Sequence, residues 1–185
     1  MVNSFLKKRW ILGLFILAGV ACLGGAVYYF LISDCNLCDY NSTTDRVEFL
    51  KLFENNKYWL TTNENYNVAH MLDTKSPNDY QAEYFGKLTI KAARVHGKPV
   101  GFVAYYKKKF YEGFILFLAV DEQYRGKSYA TKLLRYAIDA LFNDNAQVVR
   151  LVTRTNNYAA MKVYERAGMH ESERTNGFVY FEIKA

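Results

Sequence analysis

Residues 120–130 are the part of the sequence whose residue types and spacing point most directly to a ligand. They follow an apolar run, 113–120, and precede a helical pattern. A glycine-containing turn from a buried strand into a helix offers an anion free backbone N–H groups and the positive end of the helix dipole. Arg125 and Lys127 add positive charge at the same place. The segment is therefore predicted to bind a phosphorylated cofactor.

A second group of interest lies on a later helical pattern. Ala160, Val163, Tyr164 and Ala167 share one face of a helix that Asn157 can cap. Helical spacing alone favours a half-buried core role for Tyr164 and a simple capping role for Asn157. A chemical role for either residue needs evidence beyond this spacing.

The phosphate-type turn must be positioned by a sheet. Three strand-like runs, 88–95, 100–106 and 113–120, predict an antiparallel meander. The third run is apolar on both faces, so we expect it to be central and covered on both sides.

The elements after the turn complete the sheet. An amphipathic helix is predicted over 130–141, followed by a strand at 148–153, which should lie parallel to run 113–120. A final strand is predicted at 178–183. The fold class is therefore α/β (α+β), a mixed, mostly antiparallel central sheet flanked by helices.

Two motifs in this order resemble those of the GNAT superfamily of acyl-CoA-dependent N-acyltransferases. Residues 125–130, Arg-Gly-Lys-Ser-Tyr-Ala, follow the pattern Arg/Gln-x-x-Gly-x-Gly/Ala after a strand ending in Val-Asp. Residues 157–169 follow Asn-x-x-Ala-x-x-x-Tyr-x-x-x-Gly-Phe, with Met169 in place of Phe. The resemblance covers about 85–183 and implies a GNAT-like fold with acetyl-CoA as acyl donor.

The resemblance also implies roles for particular residues. Backbone groups of Leu118 and Val120 would pair with pantetheine and polarise the thioester carbonyl. Asn157 would help to hold pantetheine, and Tyr164 would protonate the departing thiolate after direct attack by an amine. The acceptor would be a protein N-terminus, a lysine or a small amine. The backbone N–H groups expected to hold the CoA pyrophosphate are those of Arg125, Gly126, Lys127, Ser128, Tyr129 and Ala130.

Ser128 departs from the pattern, because the family has glycine there. If Ser128 must adopt left-handed geometry, the strain would be ~1–2 kcal/mol. It could instead cap the helix and offer its hydroxyl to phosphate. Both alternatives follow equally well from the sequence.

The sequence leaves the general base open, because the central run 113–120 contains no carboxylate. The candidates are Glu112, Glu83, His70 and His96, and a water-mediated route would also suffice. The missing carboxylate and Ser128 keep a second hypothesis open, a non-catalytic, membrane-anchored acyl-CoA-binding or interaction module.

The N-terminus has the features of a membrane segment. Residues 10–33 form an uncharged run that is long enough to cross a bilayer. Residues 7–9, directly before it, are basic. We expect a basic tail at 1–9, a single transmembrane helix at 10–33, a linker at 34–44 and a catalytic-type domain at 45–185. A cleaved signal peptide is the rival interpretation. The side that the domain faces is open, because the positive-inside rule and the expected cofactor disagree.

Composition limits the partners. The net charge of +6 suits an anionic cofactor, but the sequence shows no basic stripe, so we expect no nucleic-acid binding. Cys35 and Cys38 form a Cys-x-x-Cys with no second pair, and we expect no metal site. A local disulfide, juxtamembrane acylation or two incidental thiols remain open for this pair.

Overall fold

A computed structural model describes residues 36–76, 88–108 and 111–185. The expected basic tail, the expected transmembrane helix at 10–33, Cys35 and Glu83 lie outside these residues. Within them, no helix combines the length and the apolar character needed to cross a bilayer.

The periodic patterns of the sequence become twelve regular elements over the described residues. In chain order they are β1 (Asn36–Asp39), α1 (Arg46–Leu60), α2 (Val68–Thr74), β2 (Thr89–Val95), β3 (Lys98–Lys107), β4 (Glu112–Val120), a 3₁₀ turn (Glu122–Tyr124), α3 (Tyr129–Asn143), β5 (Val148–Arg154), α4 (Tyr158–Arg166), β6 (His170–Thr175) and β7 (Phe178–Lys184).

Seven of these elements form one sheet in the order β1-β2-β3-β4-β5-β7-β6. Strands β4 and β5 are parallel, and the other neighbouring strands are antiparallel. The expected mixed, mostly antiparallel sheet is confirmed, with β4 at its centre. The crossover from β4 through α3 to β5 produces the single parallel pair.

Helices cover both faces of β4, as predicted from its apolar sequence. On one face, Phe53 of α1 packs edge-on against Phe117, with ring centroids 5.2 Å apart. On the other face, α3 lies so close that a Cβ added to Gly113 would lie 2.9 Å from Leu141. Helix α3 buries Leu133 completely. The amphipathic pattern of α3 therefore faces the sheet.

The structure corrects the expectation of a linker at 34–44. Residues Asn36–Asp39 form the edge strand β1, paired antiparallel with β2, and the compact unit begins at Asn36 rather than at residue 45. Asp45 is fully buried. A polar edge strand is held mainly by backbone hydrogen bonds, so its sequence lacks the alternation that predicts strands.

Candidate functional site

The central feature of the sheet is an opening between its two parallel strands. Strands β4 and β5 pair only from Glu112 with Val148 to Phe114 with Arg150. Beyond these positions, the described residues of the two strands no longer pair, and a cavity of about 500 Å³ lies between them. The strands therefore form the V-shaped gap that a thioester arm requires.

A bulge in β4 accompanies the gap. Ala104 of β3 pairs with Phe117, whereas the next residue, Tyr105, pairs with Ile115, so Leu116 is an extra residue. A bulge bends its strand and increases the local twist. Because the bulge follows directly after the last β4–β5 pair, it turns the C-terminal half of β4 away from β5.

The turn after β4 has the geometry predicted for an anion site. The Asp121 carboxylate accepts the backbone N–H of Gln123 at 2.9 Å and fixes the 3₁₀ turn. Gly126 and Ser128 have φ of 78° and 64°, both left-handed. Left-handed residues among right-handed ones turn successive N–H groups to one side, which makes a concavity for an anion. The α3 N-terminus points to the same place.

Ser128 resolves the two alternatives left by the sequence. It is the N-cap of α3 in left-handed geometry, and its side chain makes no capping hydrogen bond. The structure therefore adopts the strained alternative, and the prediction that the Ser128 hydroxyl caps the helix is wrong.

The structure brings nearly all the predicted site residues to the cavity. Lys127 is the exception, since it does not line the cavity and its Nζ lies 5.2 Å from the Tyr124 ring centroid. The predicted residues that line it are Leu118, Val120, Arg125, Gly126, Ser128, Tyr129, Ala130, Asn157 and Tyr164.

Arg125 ties the turn to helix α1. Its guanidinium donates to the Asn56 side-chain oxygen at 2.9 Å and to the Val120 carbonyl at 3.3 Å. Asn56 is buried and donates in turn to the Leu52 carbonyl at 2.8 Å. Arg125 thus holds the turn against α1 while it lines the cavity. The sequence analysis missed Asn56, because no local pattern predicts a partner for Arg125 so far away along the chain.

Asn157 is the N-cap of α4, and Tyr164 lies buried on the same helix. The Asn157 side chain caps α4, accepting the Ala160 N–H at 3.4 Å, and its amide donates to Thr153 Oγ1 at 3.1 Å. Tyr164 is 7% exposed and packs edge-on against Phe181. Burial raises the pKa of Tyr164 to about 12, and a hydrogen bond with Thr153 acts in the opposite direction. The phenol is therefore protonated at neutral pH and is a proton donor.

The three general-base candidates among the described residues do not line this cavity. Glu112 lies at the closed end of the β4–β5 pair, where its carboxylate binds Lys108 and Arg150 at 3.0 Å each. His70, on α2, and His96, in the β2–β3 turn, are also absent from the residues that line the cavity in the described part of the chain.

The walls of the cavity are apolar on one side and basic on another. Trp59 and Leu60 of α1 contribute apolar surface, a wall that sequence reasoning also missed. The charged side chains among the described lining residues are Arg125, Lys162 and Arg166. Their positive potential favours a phosphorylated ligand.

Comparison with known proteins agrees with this geometry. Residues 47–169 match the Acetyltransferase (GNAT) family. N-alpha-acetyltransferase 30 of Schizosaccharomyces pombe is 42% identical over 62 residues, which are 34% of this chain and 41% of that protein. The chain thus spans less than half the length of this relative.

Solved structures share the fold. Ard1 from Thermoplasma volcanium superimposes with a TM-score of 0.62 at 21% identity, covering 82% of this chain and 97% of that one. An acetyltransferase structure from Bacillus anthracis, in complex with acetyl coenzyme A, has a TM-score of 0.50 at 24% identity. It covers 57% of this chain and 68% of that one.

Proposed function

Since this chain belongs to the acetyltransferase (GNAT) family, whose enzymes use acetyl-CoA as donor, we propose that it acetylates the free amine at a polypeptide N-terminus. The single observation that carries the donor site is the gap between β4 and β5, bordered at its open end by the turn 121–128. The similarity to an N-alpha-acetyltransferase favours an N-terminal amine over lysine or a small amine. It also favours an enzyme over a non-catalytic module.

The donor would be held mainly by main-chain groups. The N–H groups of 126–130, which include those at the α3 N-terminus, would bind the pyrophosphate, since this turn concentrates positive potential. The Arg125 N–H is excluded from the expected set, because it donates to the Glu122 carbonyl at 3.2 Å. Main-chain groups of Leu118 and Val120 border the gap and would pair with pantetheine. Fixed donors of this kind are best suited to the negative charge that develops on the carbonyl oxygen.

The chemical step would be direct transfer. The amine nitrogen bonds to the thioester carbonyl carbon, the carbon–sulfur bond breaks, and Tyr164 gives its proton to the departing sulfur. A buried phenol with a pKa of about 12 is a weak acid but remains fully protonated. Its contribution therefore comes from its position in the cavity wall.

Removal of the amine proton would use water. The described residues that line the cavity include no carboxylate and no histidine. A water-mediated route to solvent needs no dedicated carboxylate, and it predicts activity that rises as the acceptor amine loses its proton.

We also propose that residues 10–33 anchor the enzyme in a membrane as a single span. The uncharged run and its basic flank support this proposal. Extraction with alkaline carbonate should leave the full chain in the membrane fraction. Protease digestion of sealed vesicles reports which side the domain faces, and a shortened, extractable chain would instead indicate cleavage of a signal peptide.

Donor binding is tested by thermal stability. Acetyl-CoA should raise the melting temperature of the full chain more than acetate or ATP does. Gly126→Glu should weaken acetyl-CoA binding at least tenfold, because it places a carboxylate beside the pyrophosphate. Gly126→Ala is the matched control, with the same backbone strain and no charge. No stabilisation by millimolar acetyl-CoA would contradict the proposal.

The acceptor is tested with two peptides of one sequence that contains a lysine. One has a free N-terminus and the other a formylated N-terminus. Mass spectrometry should find acetyl transfer only to the free N-terminus. Equal transfer to both peptides would identify lysine as the acceptor, and the N-terminal assignment would fail.

A further inference from the structure

The C-terminal end of α1 forms part of the cavity wall. Trp59 and Leu60, in the last turn of α1, line the cavity together with Val152 of β5. The last carbonyl groups of a helix have no partner inside the helix. The Tyr58 carbonyl belongs to this set, so the group that binds it helps to decide where this wall of the cavity is held.

Arg154, the last residue of β5, binds this end of α1. Its Nε donates to the Tyr58 carbonyl at 2.7 Å, and its Nη2 donates to the Thr61 carbonyl at 3.4 Å. The negative end of the helix dipole also favours a cation at this place. Strand β5 pairs with β4 only as far as Arg150. The contact therefore joins α1 to the part of β5 that has separated from β4.

Ring contacts extend this attachment to the cavity. The guanidinium carbon of Arg154 lies 4.3 Å from the Tyr58 ring centroid, which is within the range of a cation–π interaction. The Tyr58 ring packs edge-on against the Trp59 ring, with centroids 4.7 Å apart. Arg154 itself does not line the cavity, so it acts on the wall through Tyr58 and Trp59.

Helix α1 is attached to the β4 side of the gap as well. Asn56 accepts from Arg125, and the same guanidinium donates to the Val120 carbonyl at the end of β4. The last turns of α1 thus extend across the gap, fastened by Arg125 on the β4 side and by Arg154 on the β5 side. The Arg125 attachment belongs to the turn expected to bind the donor, whereas the Arg154 attachment belongs to the opposite strand.

The two faces of the sheet offer different approaches to the gap. Helix α3 covers the face opposite α1, and α4 lies beside it, since Arg135 of α3 donates to the Arg166 carbonyl at 3.0 Å. A donor held at the α3 N-terminus and along α4 reaches the gap from that face. The α1 face, with its Trp59 and Leu60 wall, is then left for the acceptor amine.

We propose that Arg154 is a positioning residue that holds Trp59 and Leu60 in the wall along which the acceptor reaches the thioester. The proposal rests on the proposed function, which supplies the acceptor. Without Arg154, the carbonyl groups of Tyr58 and Thr61 lose their partner, and the end of α1 frays. Acceptor use should then suffer, while the donor side of the gap keeps its contacts.

The first experiment compares variants of the full chain with acetyl-CoA and a peptide that has a free N-terminus. Arg154→Met keeps the length of the side chain and removes its charge and its donors. The kcat/KM for the peptide should fall roughly tenfold, as for loss of a hydrogen bond from a charged donor that leaves the wall in place only part of the time. The KM for acetyl-CoA should change by less than about twofold, because the donor is held on the β4 side.

Two further variants make this result specific. Arg154→Lys keeps the cation at the helix end and should recover part of the lost kcat/KM. Arg174→Gln is the matched control, because Arg174 is an exposed arginine of β6 paired with Glu171. Its kcat/KM should stay within about twofold of the wild type, since exposed ion pairs contribute little. An unimpaired Arg154→Met, or equal losses for peptide and acetyl-CoA, would overturn the proposal.

A double variant tests whether Arg154 acts through the wall. Trp59→Ala removes the ring that Arg154 is proposed to hold, and it should lower the kcat/KM for the peptide by itself. Adding Arg154→Met to Trp59→Ala should cost less than about twofold more, because the two residues act as one unit. Independent, additive losses would contradict a role of Arg154 in holding Trp59.

Tryptophan fluorescence reports on the wall without any acceptor. The chain contains two tryptophans, Trp10 and Trp59, so a Trp10→Phe background leaves Trp59 as the only one. Quenching of Trp59 by acrylamide should increase about twofold in Arg154→Met, because a frayed helix end opens to solvent more often. It should stay unchanged in Arg174→Gln.

The fluorescence result separates the two levels of the proposal. Failure of the wild type to acetylate any peptide would remove the proposed function, and the acceptor role of this wall with it. Peptide acetylation by the wild type together with unchanged Trp59 quenching in Arg154→Met would overturn the role of Arg154 and leave the proposed function in place.

Discussion

At the scale of single residues, the site combines one strained backbone position with one buried phenol. Ser128 occupies left-handed geometry without a compensating capping bond, and such geometry costs an L-residue ~1–2 kcal/mol. Tyr164 is kept neutral by burial. Both residues can be tested by substitution without altering the fold around them.

Ser128→Gly should stabilise the protein by about 0.5–1 kcal/mol. Glycine removes the left-handed strain, and the entropy of the unfolded chain offsets part of this gain. Denaturant unfolding measures the difference. Ser128→Ala is the control, since alanine keeps the strain and the serine makes no capping bond to lose. A loss of ~1 kcal/mol in Ser128→Ala would show that the hydroxyl is the stabilising feature.

Tyr164 should make stability depend on pH in the alkaline range. Its pKa is about 12 in the folded protein and ~10 in the unfolded chain. The unfolded chain therefore loses this proton first, so the stabilising contribution is complete below pH ~10 and declines as the pH rises towards 12. Between these values Tyr164→Phe should lose stability less steeply than the wild type. Parallel unfolding curves would contradict the assigned burial.

At the scale of elements, the position of β4 depends on two glycines that admit close neighbours. A Cβ at Gly101 of β3 would lie 2.8 Å from the Ala119 carbonyl oxygen of β4. A Cβ at Gly113 would meet only side-chain atoms of Leu141. The strand is thus fixed by backbone on one side and by an adaptable side chain on the other.

Gly101→Ala should destabilise the protein by about 1–3 kcal/mol, because backbone must move to make room. It should also weaken acetyl-CoA binding, since Ala119 lines the cavity. Gly113→Ala is the comparison and should cost less, as the Leu141 rotamer can change. Thermal unfolding and acetyl-CoA titration measure both effects. A more costly Gly113→Ala would contradict the geometry.

The elements that the sequence predicts are those with an apolar period. The runs around β4, α3, β5 and α4 bury one or both faces, and their patterns show it. Strand β6 is exposed along nearly its whole length, so backbone pairing with β7 defines it rather than side-chain burial. Helix α2 spans only Val68–Thr74, too short for a helical period to be distinct.

At the scale of the whole molecule, the edge strand β1 belongs to the folded unit. Asp39 forms an ion pair with Lys91 at 2.9 Å, and Cys38 accepts from Arg94 at 2.8 Å. Arg94 also binds the buried carboxylate of Asp45. These contacts link the start of the unit to β2.

A chain beginning at residue 34 should therefore be more stable than one beginning at residue 41. The shorter chain lacks β1 and leaves β2 as an unprotected edge. It also removes the Asp39 partner of Lys91 and the Cys38 partner of Arg94. Each lost kcal/mol lowers Tm by roughly 2–4 °C in a domain of this size. Calorimetry measures the Tm of the two chains. Equal Tm values would show that β1 adds no stability and that 34–44 act as a linker.

The site could be predicted as far as its motifs are local. The turn 125–130 and the pair Asn157 and Tyr164 each lie within one short segment. The Arg125–Asn56 bond joins segments that are far apart in the chain. Interactions of this kind have no periodic signature.

In the proposed function, acetyl-CoA would complete the protein's own sheet at the point where β4–β5 pairing ends. Past Phe114, the edge of β4 that faces β5 has no strand opposite it in the described residues. An extended arm with amides of its own can act as the missing ladder partner, as in peptide recognition by strand addition. Exchange of the backbone amide protons along Leu116–Val120 should slow when acetyl-CoA binds and become faster again when free CoA leaves. The sheet would thus gain and lose one ladder partner in each catalytic cycle.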